Sequence, residues 1–170
     1  SHILVAHPNF DMAAICDDKL RLIDFRDSPK ILETELKQHA TAVSWLPNDN
    51  FGCALGFANG DLDFFSFKSN ETVMHQNITK DSIYGIEFCP ANPSAVSLIV
   101  ENNILFASMP SWGFGNVGEV GTYKMHLAPI LDAHWIADDK YASMISCDAD
   151  HMIHIFDVPE EYIPIYEAGI

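Results

Sequence analysis

Positive charge is scarce in this chain. Nine Lys and Arg stand against 24 Asp and Glu, a formal net charge of −15. Phosphate contacts need clustered cations, so direct nucleic-acid binding is disfavoured, whereas a basic partner is compatible. Cysteine pairs are missing too. Cys16, Cys53, Cys89 and Cys147 are widely spaced, and no Cys-x-x-Cys occurs. That removes the short ligand spacing of a zinc site. Cysteines lying in or beside apolar runs read as buried, reduced thiols of an intracellular protein, in nucleus or cytoplasm. No apolar run approaches the roughly 18 residues that span a bilayer, so no membrane insertion is expected. The opening SHILVAHPNF has neither a charged n-region nor a long apolar core, and does not read as a signal peptide. No G-x-S-x-G elbow, H-E-x-x-H or P-loop is written anywhere, so no enzyme, catalytic residue, metal site or cofactor is expected. No segment carries the 3.6-residue apolar period of an amphipathic helix.

What the chain has is a repeated phrase. Its 170 residues, 48% hydrophobic and 19% charged, suit one folded domain with a sizeable core. CDDKLRLIDFR from Cys16 is echoed by ANGDLDFFSF from Ala58, ENNILFASM from Glu101 and DADHMIHIFDV from Asp148. The residue before the closing Asp or Ser is Ile23, Phe65, Ala107 or Phe156, at spacings of 42, 42 and 49. Each unit reads as short strands parted by turns. ILVAHP, MAAIC, KLRLIDF and ILETEL make the first unit. AVSWLP, GCALGFANG, DLDFFSF and ETVMHQ make the second, with Asn59-Gly60 as its hairpin turn. IYGIEFCP, AVSLIV, ILFASM and VGTYKM make the third, and ILDAHWI, YASMISC, MIHIFDV and YIPIYEA the fourth. Four antiparallel strands in about 42 residues describe the blade of an all-β propeller.

In these positions the chain resembles the WD-repeat family, over nearly its whole length and in degenerate form. The family signature is a His in the loop before the first strand, an Asp at the turn before the third, and Trp-Asp closing the third. His39 and His126 fall at the loop position, and Asp17, Asn59 and Asp150 at the turn, with Glu101 in the third unit. The closing pair survives as Ile23-Asp24 and Phe156-Asp157 and decays to Phe65-Ser66 and Ala107-Ser108; no unit keeps the Trp. The resemblance implies a buried hydrogen-bond network tying loop to turn, structural and not catalytic. It also implies four blades, at approximately 1–36, 37–78, 79–125 and 126–170. Propellers of this family resemble closed rings, most often of seven blades. Four are about half such a ring, to be completed by further residues, a partner subunit or a second copy, with a self-closed four-blade ring as the rival.

Other motifs carry weaker readings. Pro110–Gly121 holds a G-x-G-x-x-G pattern after a strand, but a strand and not a helix comes next, so a dinucleotide site is not expected. Trp112 and Phe114 on that loop are candidate anchors for a partner. His151 and His154 lie three apart on a strand and point to opposite faces. Asp17-Asp18, Asp138-Asp139 and Glu160-Glu161 fall at turns or near the end. They read as solvated turns, or as an acidic rim for a basic peptide such as a histone tail. Ile23-Asp24-Phe25-Arg26 resembles the Trp-Asp-x-Arg ending of WD-repeat substrate receptors of cullin-RING ubiquitin ligases, with Ile in place of Trp. Arg26 is then a candidate adaptor contact. The leading expectation is a rigid scaffold for protein–protein interaction, one subunit of a multiprotein complex.

Overall fold

The computed structural model describes residues 2–109, 117–137 and 141–163. The chain is all-β, built of antiparallel sheets. It divides into two compact units, Ser1–Ser82 and Ile83–Ile170.

The first unit holds two four-stranded meanders of blade type. Strands β1 (Ile3–Ala6), β2 (Met12–Cys16), β3 (Lys19–Asp24) and β4 (Lys30–Glu35) pair in chain order. So do β5 (Ala40–Trp45), β6 (Gly52–Phe57), β7 (Asp61–Ser66) and β8 (Glu71–Asn77). Strand alternation sets the faces. Met12, Ala14 and Cys16 of β2 and Leu20 and Leu22 of β3 share one side of the first sheet, and all are buried. They form one core with Val43, Trp45, Leu55, Phe57 and Phe65 of the second sheet. Burying an aliphatic side chain such as Leu20 contributes about 1.5–3 kcal/mol, so this face is what fastens one meander to the next.

The second unit repeats the arrangement. Strands β9 (Ile83–Phe88), β10 (Ala95–Val100), β11 (Asn103–Ser108) and β12 (Gly118–Tyr123) form the third sheet. The fourth contains β13 (Ile130–Ala137), β14 (Ala142–Asp148) and β15 (Ile153–Asp157). Ile104 and Phe106 of β11 share a core with Ala133, Trp135 and Met144. No helix among the described residues is long and apolar enough to cross a membrane.

The two units agree in detail. Trp45 donates its indole N–H to the Val5 carbonyl at 3.1 Å, and Trp135 donates to the Glu87 carbonyl at 3.0 Å. Each Trp thus stitches the first strand of its own sheet to the first strand of the preceding one. Both strands also break register one residue after they begin, between Ala40 and Ala42 in β5 and between Ile130 and Asp132 in β13. Such a bulge bends the strand and re-aims the side chains beyond it, here the Trp.

The Asn59-Gly60 turn joins β6 to β7 as expected. Gly60 takes a positive φ, +83°, and a Cβ there would sit 1.8 Å from the Thr79 carbonyl oxygen, so close approach of backbone demands this glycine. One expectation needs correction. The strand expected from Tyr162 does not begin there. Glu160–Tyr162 form a 3₁₀ turn, and the Tyr162 ring lies 5.5 Å from that of Phe106. The remainder of YIPIYEA, from Pro164 on, lies outside the described residues.

Replacing either indole by phenyl keeps the ring but removes the N–H that joins the two first strands, although the Glu87 carbonyl still accepts the Ser97 hydroxyl at 3.2 Å. Trp45→Phe and Trp135→Phe should each cost about 1 kcal/mol in urea denaturation. Full stability in both variants would mean that the stitches hold nothing.

Candidate functional site: polar latches at the blade turns

Tight turns between the second and third strands leave backbone N–H groups without a ladder partner, and a side-chain oxygen two residues back can accept them. In the first sheet Asp17 Oδ1 accepts the Lys19 N–H at 3.0 Å. In the second, Asn59 Oδ1 accepts the Asp61 N–H at 3.1 Å. Both residues are where the repeat placed them. In the fourth sheet the acceptor is Asp148 and not the expected Asp150. Asp148 Oδ1 takes the N–H groups of Asp150 at 2.9 Å and Met152 at 3.1 Å. Asp150 is exposed. The fourth turn is longer, four residues from the end of β14 to the start of β15 against two between β2 and β3, so the capping residue moves back to the strand end. Glu101 in the third turn adopts φ +56°, and its carbonyl accepts the Ile130 N–H at 2.9 Å.

His126, at the loop position before β13, is buried against the end of β14. Its Nδ1 lies 2.7 Å from Asp148 Oδ2 and its Nε2 2.6 Å from Ser146 Oγ, and all three residues are buried. With Nδ1–H donated to the carboxylate, Nε2 accepts the Ser146 hydroxyl proton. That hydrogen bond from His126 is the largest influence holding the Asp148 carboxyl below the usual carboxylate range. The order Ser–His–Asp is that of a nucleophilic triad, but burial keeps substrate from Ser146 Oγ. What the arrangement can do is hold the loop before β13 against the end of β14. Asn102 extends the hold by donating its amide to the His126 carbonyl at 3.2 Å. The imidazole stacks on His154, centroids 3.7 Å apart, and His154 hydrogen-bonds the Tyr123 hydroxyl at 2.9 Å.

His39 behaves differently. It is exposed, and its Nδ1 lies 2.8 Å from the carbonyl oxygen of Asp17, in the turn of the preceding sheet and not its own. The turn of its own sheet is centred on Asp61, which accepts from Asn77 at 2.9 Å, Asn59 at 2.8 Å and, at 3.4 Å, Gln38. The Asn77 hydrogen bond is the largest influence lowering the Asp61 carboxyl. Nearby, His75 hydrogen-bonds Asp63, and this contact raises the imidazole pKa while burial pushes the Asp63 carboxyl up.

The remaining candidates are scattered. Asp24 chelates the Arg26 guanidinium at 3.0 and 2.8 Å, and the Arg26 hydrogen bond draws its carboxyl down to about 2. Arg26 also lies over the rings of Phe51 and Phe10, at 4.9 and 5.8 Å. The cation expected to meet an adaptor is therefore already engaged. Asp157 accepts the Ser143 hydroxyl at 2.9 Å. Trp112, Phe114 and the pair Asp138-Asp139 lie outside the described residues. No group of three His, Cys, Asp or Glu able to hold a metal occurs among the described residues. Sequence reasoning missed Ser146, Asp148, Asp61 and both indole stitches. Ser146-x-Asp148 was legible as alternating polar positions on one face of an otherwise apolar strand. Compared with family models and with curated proteins, the chain matches none.

Removing a buried latch should cost more than removing the expected one. Ser146→Ala and Asp148→Ala should each lower Tm by about 5–10 °C, and Asp150→Ala by no more than about 2 °C. The reverse ranking would return the latch to Asp150. Because the folded Asp148 carboxyl titrates below its unfolded value, its contribution is present at neutral pH and fades as acid protonates it, so Asp148→Asn should flatten the acid limb of a Tm–pH curve. For His75 the sign is opposite. Its folded pKa lies above 6.5, so its stabilisation is full below that pH and is lost as pH rises through the folded value. An NMR titration of the imidazole should move down in Asp63→Asn; an unmoved midpoint would exclude the contact.

Proposed function

We propose that the chain is a segment of a WD-repeat-type propeller and serves as a non-catalytic scaffold for protein–protein interaction within a multiprotein complex. The observation that carries this reading is the placement of the polar residues. Several of those at the repeat positions are engaged in latches, namely Asp17, Asn59, His126 with Ser146 and Asp148, and Asp24 with Arg26, while Asp150 is exposed and His39 reaches the turn of the preceding sheet. Rigid sheets with capped turns can present loops and faces to a partner at little ordering cost. The charge favours a basic partner. From Ile83 to Ile170 there are twelve carboxylates against two lysines, Lys124 and Lys140. The ligase-receptor reading has less support, since Arg26 is chelated by Asp24 and stacked on Phe51.

Native purification of the tagged protein from its own cells tests the proposal. A companion subunit should elute with it in constant stoichiometry and be released as salt is raised, because attraction between exposed charges is screened. A protein recovered alone at its own mass under low salt would overturn the scaffold reading.

A further inference from the structure

In the first three sheets the loop between first and second strands follows one plan. Each has a proline two residues beyond the end of its first strand: Pro8, Pro47 and Pro90. The residue before that proline donates its N–H to the start of the second strand, His7 to the Met12 carbonyl, Leu46 to Gly52 and Cys89 to Ala95. His7, Leu46 and Cys89 are all buried. In two of the loops the residue two after the proline is a cap. Asp49 Oδ1 accepts the Phe51 N–H at 2.9 Å, and Asn92 Oδ1 accepts the Ser94 N–H at 3.0 Å. In the first loop that position is Phe10, whose side chain offers no acceptor.

His7 caps the first loop instead, from the position that Leu46 and Cys89 hold elsewhere. Its Nδ1 accepts the N–H groups of Asn9 at 3.0 Å and Phe10 at 3.1 Å. A nitrogen that accepts two N–H groups has no proton of its own, so the ring is neutral and its proton sits on Nε2. The ring also has a backbone hydrogen bond with Asn50, on the loop after β5. It lies edge-on to Trp45, centroids 4.6 Å apart, and 5.1 Å from the Phe10 ring. One imidazole closes the β1–β2 loop on itself and holds it against the second sheet, within the first unit.

What separates this cap from the other two is its response to acid. An amide does not titrate, and a carboxyl that takes a proton still has lone pairs with which to accept. The neutral imidazole has one acceptor nitrogen, and a proton added there turns it into a donor aimed at two N–H groups. Burial is the largest influence lowering the imidazole pKa from 6.5; the Asn50 hydrogen bond opposes it, and the charge of Arg26, 5.8 Å over the Phe10 ring, lowers it further. Asp24 chelates that Arg26, Asp11 and Asp49 lie on the two loops themselves, and Lys68 stands over Phe51. We propose that His7 is an acid-sensitive latch, and that a proton on its Nδ1 opens the Pro8–Asp11 loop from the second sheet and parts Phe10 from Arg26. Because the folded imidazole titrates below its unfolded value, the latch is fully closed above pH 6.5 and is lost as pH falls through the folded value. His75 has the opposite sense, so a general histidine effect does not imitate it. The inference does not depend on the scaffold reading.

An NMR titration of the 170-residue chain with amide exchange tests it. The His7 midpoint should lie below 6.5, and the protection factors of the Asn9 and Phe10 amides should fall severalfold through it. The Phe51 and Ser94 amides, capped by Asp49 and Asn92, should keep theirs over the same range. His7→Asn puts an oxygen acceptor that does not titrate at this position, and should abolish the step while leaving the loop protected at neutral pH. His7→Leu, the side chain of the second loop, should leave both amides unprotected at every pH. Should neither variant fold, the wild-type exchange profile alone decides. Protection of Asn9 and Phe10 that stays constant while the ring protonates would overturn the latch. So would a ring that takes no proton before the whole unit unfolds, or a step of equal size in His7→Asn.

Discussion

A short antiparallel meander with apolar side chains on both faces is not stable by itself in water. Backbone pairing settles the ladder within a sheet, but each face still has to leave solvent. Every other feature of this chain answers that demand. Leu20, Leu22 and Cys16 on one sheet and Val43, Trp45 and Phe65 on the next make sense only as a shared core. The same holds for Ile104 and Phe106 against Trp135 and Met144. Since the apolar contact has no direction, something must set the angle and register at which sheets meet. The indole hydrogen bonds do so, because each is made to one particular carbonyl on the neighbouring first strand.

Polar groups enter this structure as consequences of tight connection. Short turns strand their N–H groups, and a carboxylate or amide at the strand end is the nearest acceptor. Once such a carboxylate is buried it needs a donor, which explains His126 beside Asp148. Burying the imidazole in turn requires a partner for its second nitrogen, supplied by Ser146. The sequence of needs runs from backbone outward, and a constellation that looks catalytic on paper arises without any catalytic demand.

Most of the architecture was legible because strand alternation and turn chemistry are local properties. KLRLIDF announces β3, and Asn59-Gly60 announces its turn, from a few adjacent letters. The errors fall where a contact partner is remote. Asp150 matched the repeat by position, but the longer fourth turn, which depends on where β15 starts to pair, handed the role to Asp148. His39 sat at the right offset, yet its exposed ring reaches the preceding turn. The Trp–carbonyl stitches span 40 and 48 residues, beyond the reach of any short motif. The rings beneath Arg26 likewise come from other loops, out of reach of the short motif that singled it out.

The two stitches also constrain how such sheets can be added to one another. Trp45 and Trp135, each behind a bulge at the same place, lie 90 residues apart, which is two meanders and not one. The first and third sheets carry Ala6 and Phe88 at the matching site and serve as acceptors. The structural repeat is thus a donor–acceptor couple of sheets. An array made of such couples lengthens without conflict by whole couples, while a lone inserted meander would set donor beside donor or acceptor beside acceptor at one junction. Parity, and not only number, is written into the way these sheets can be counted.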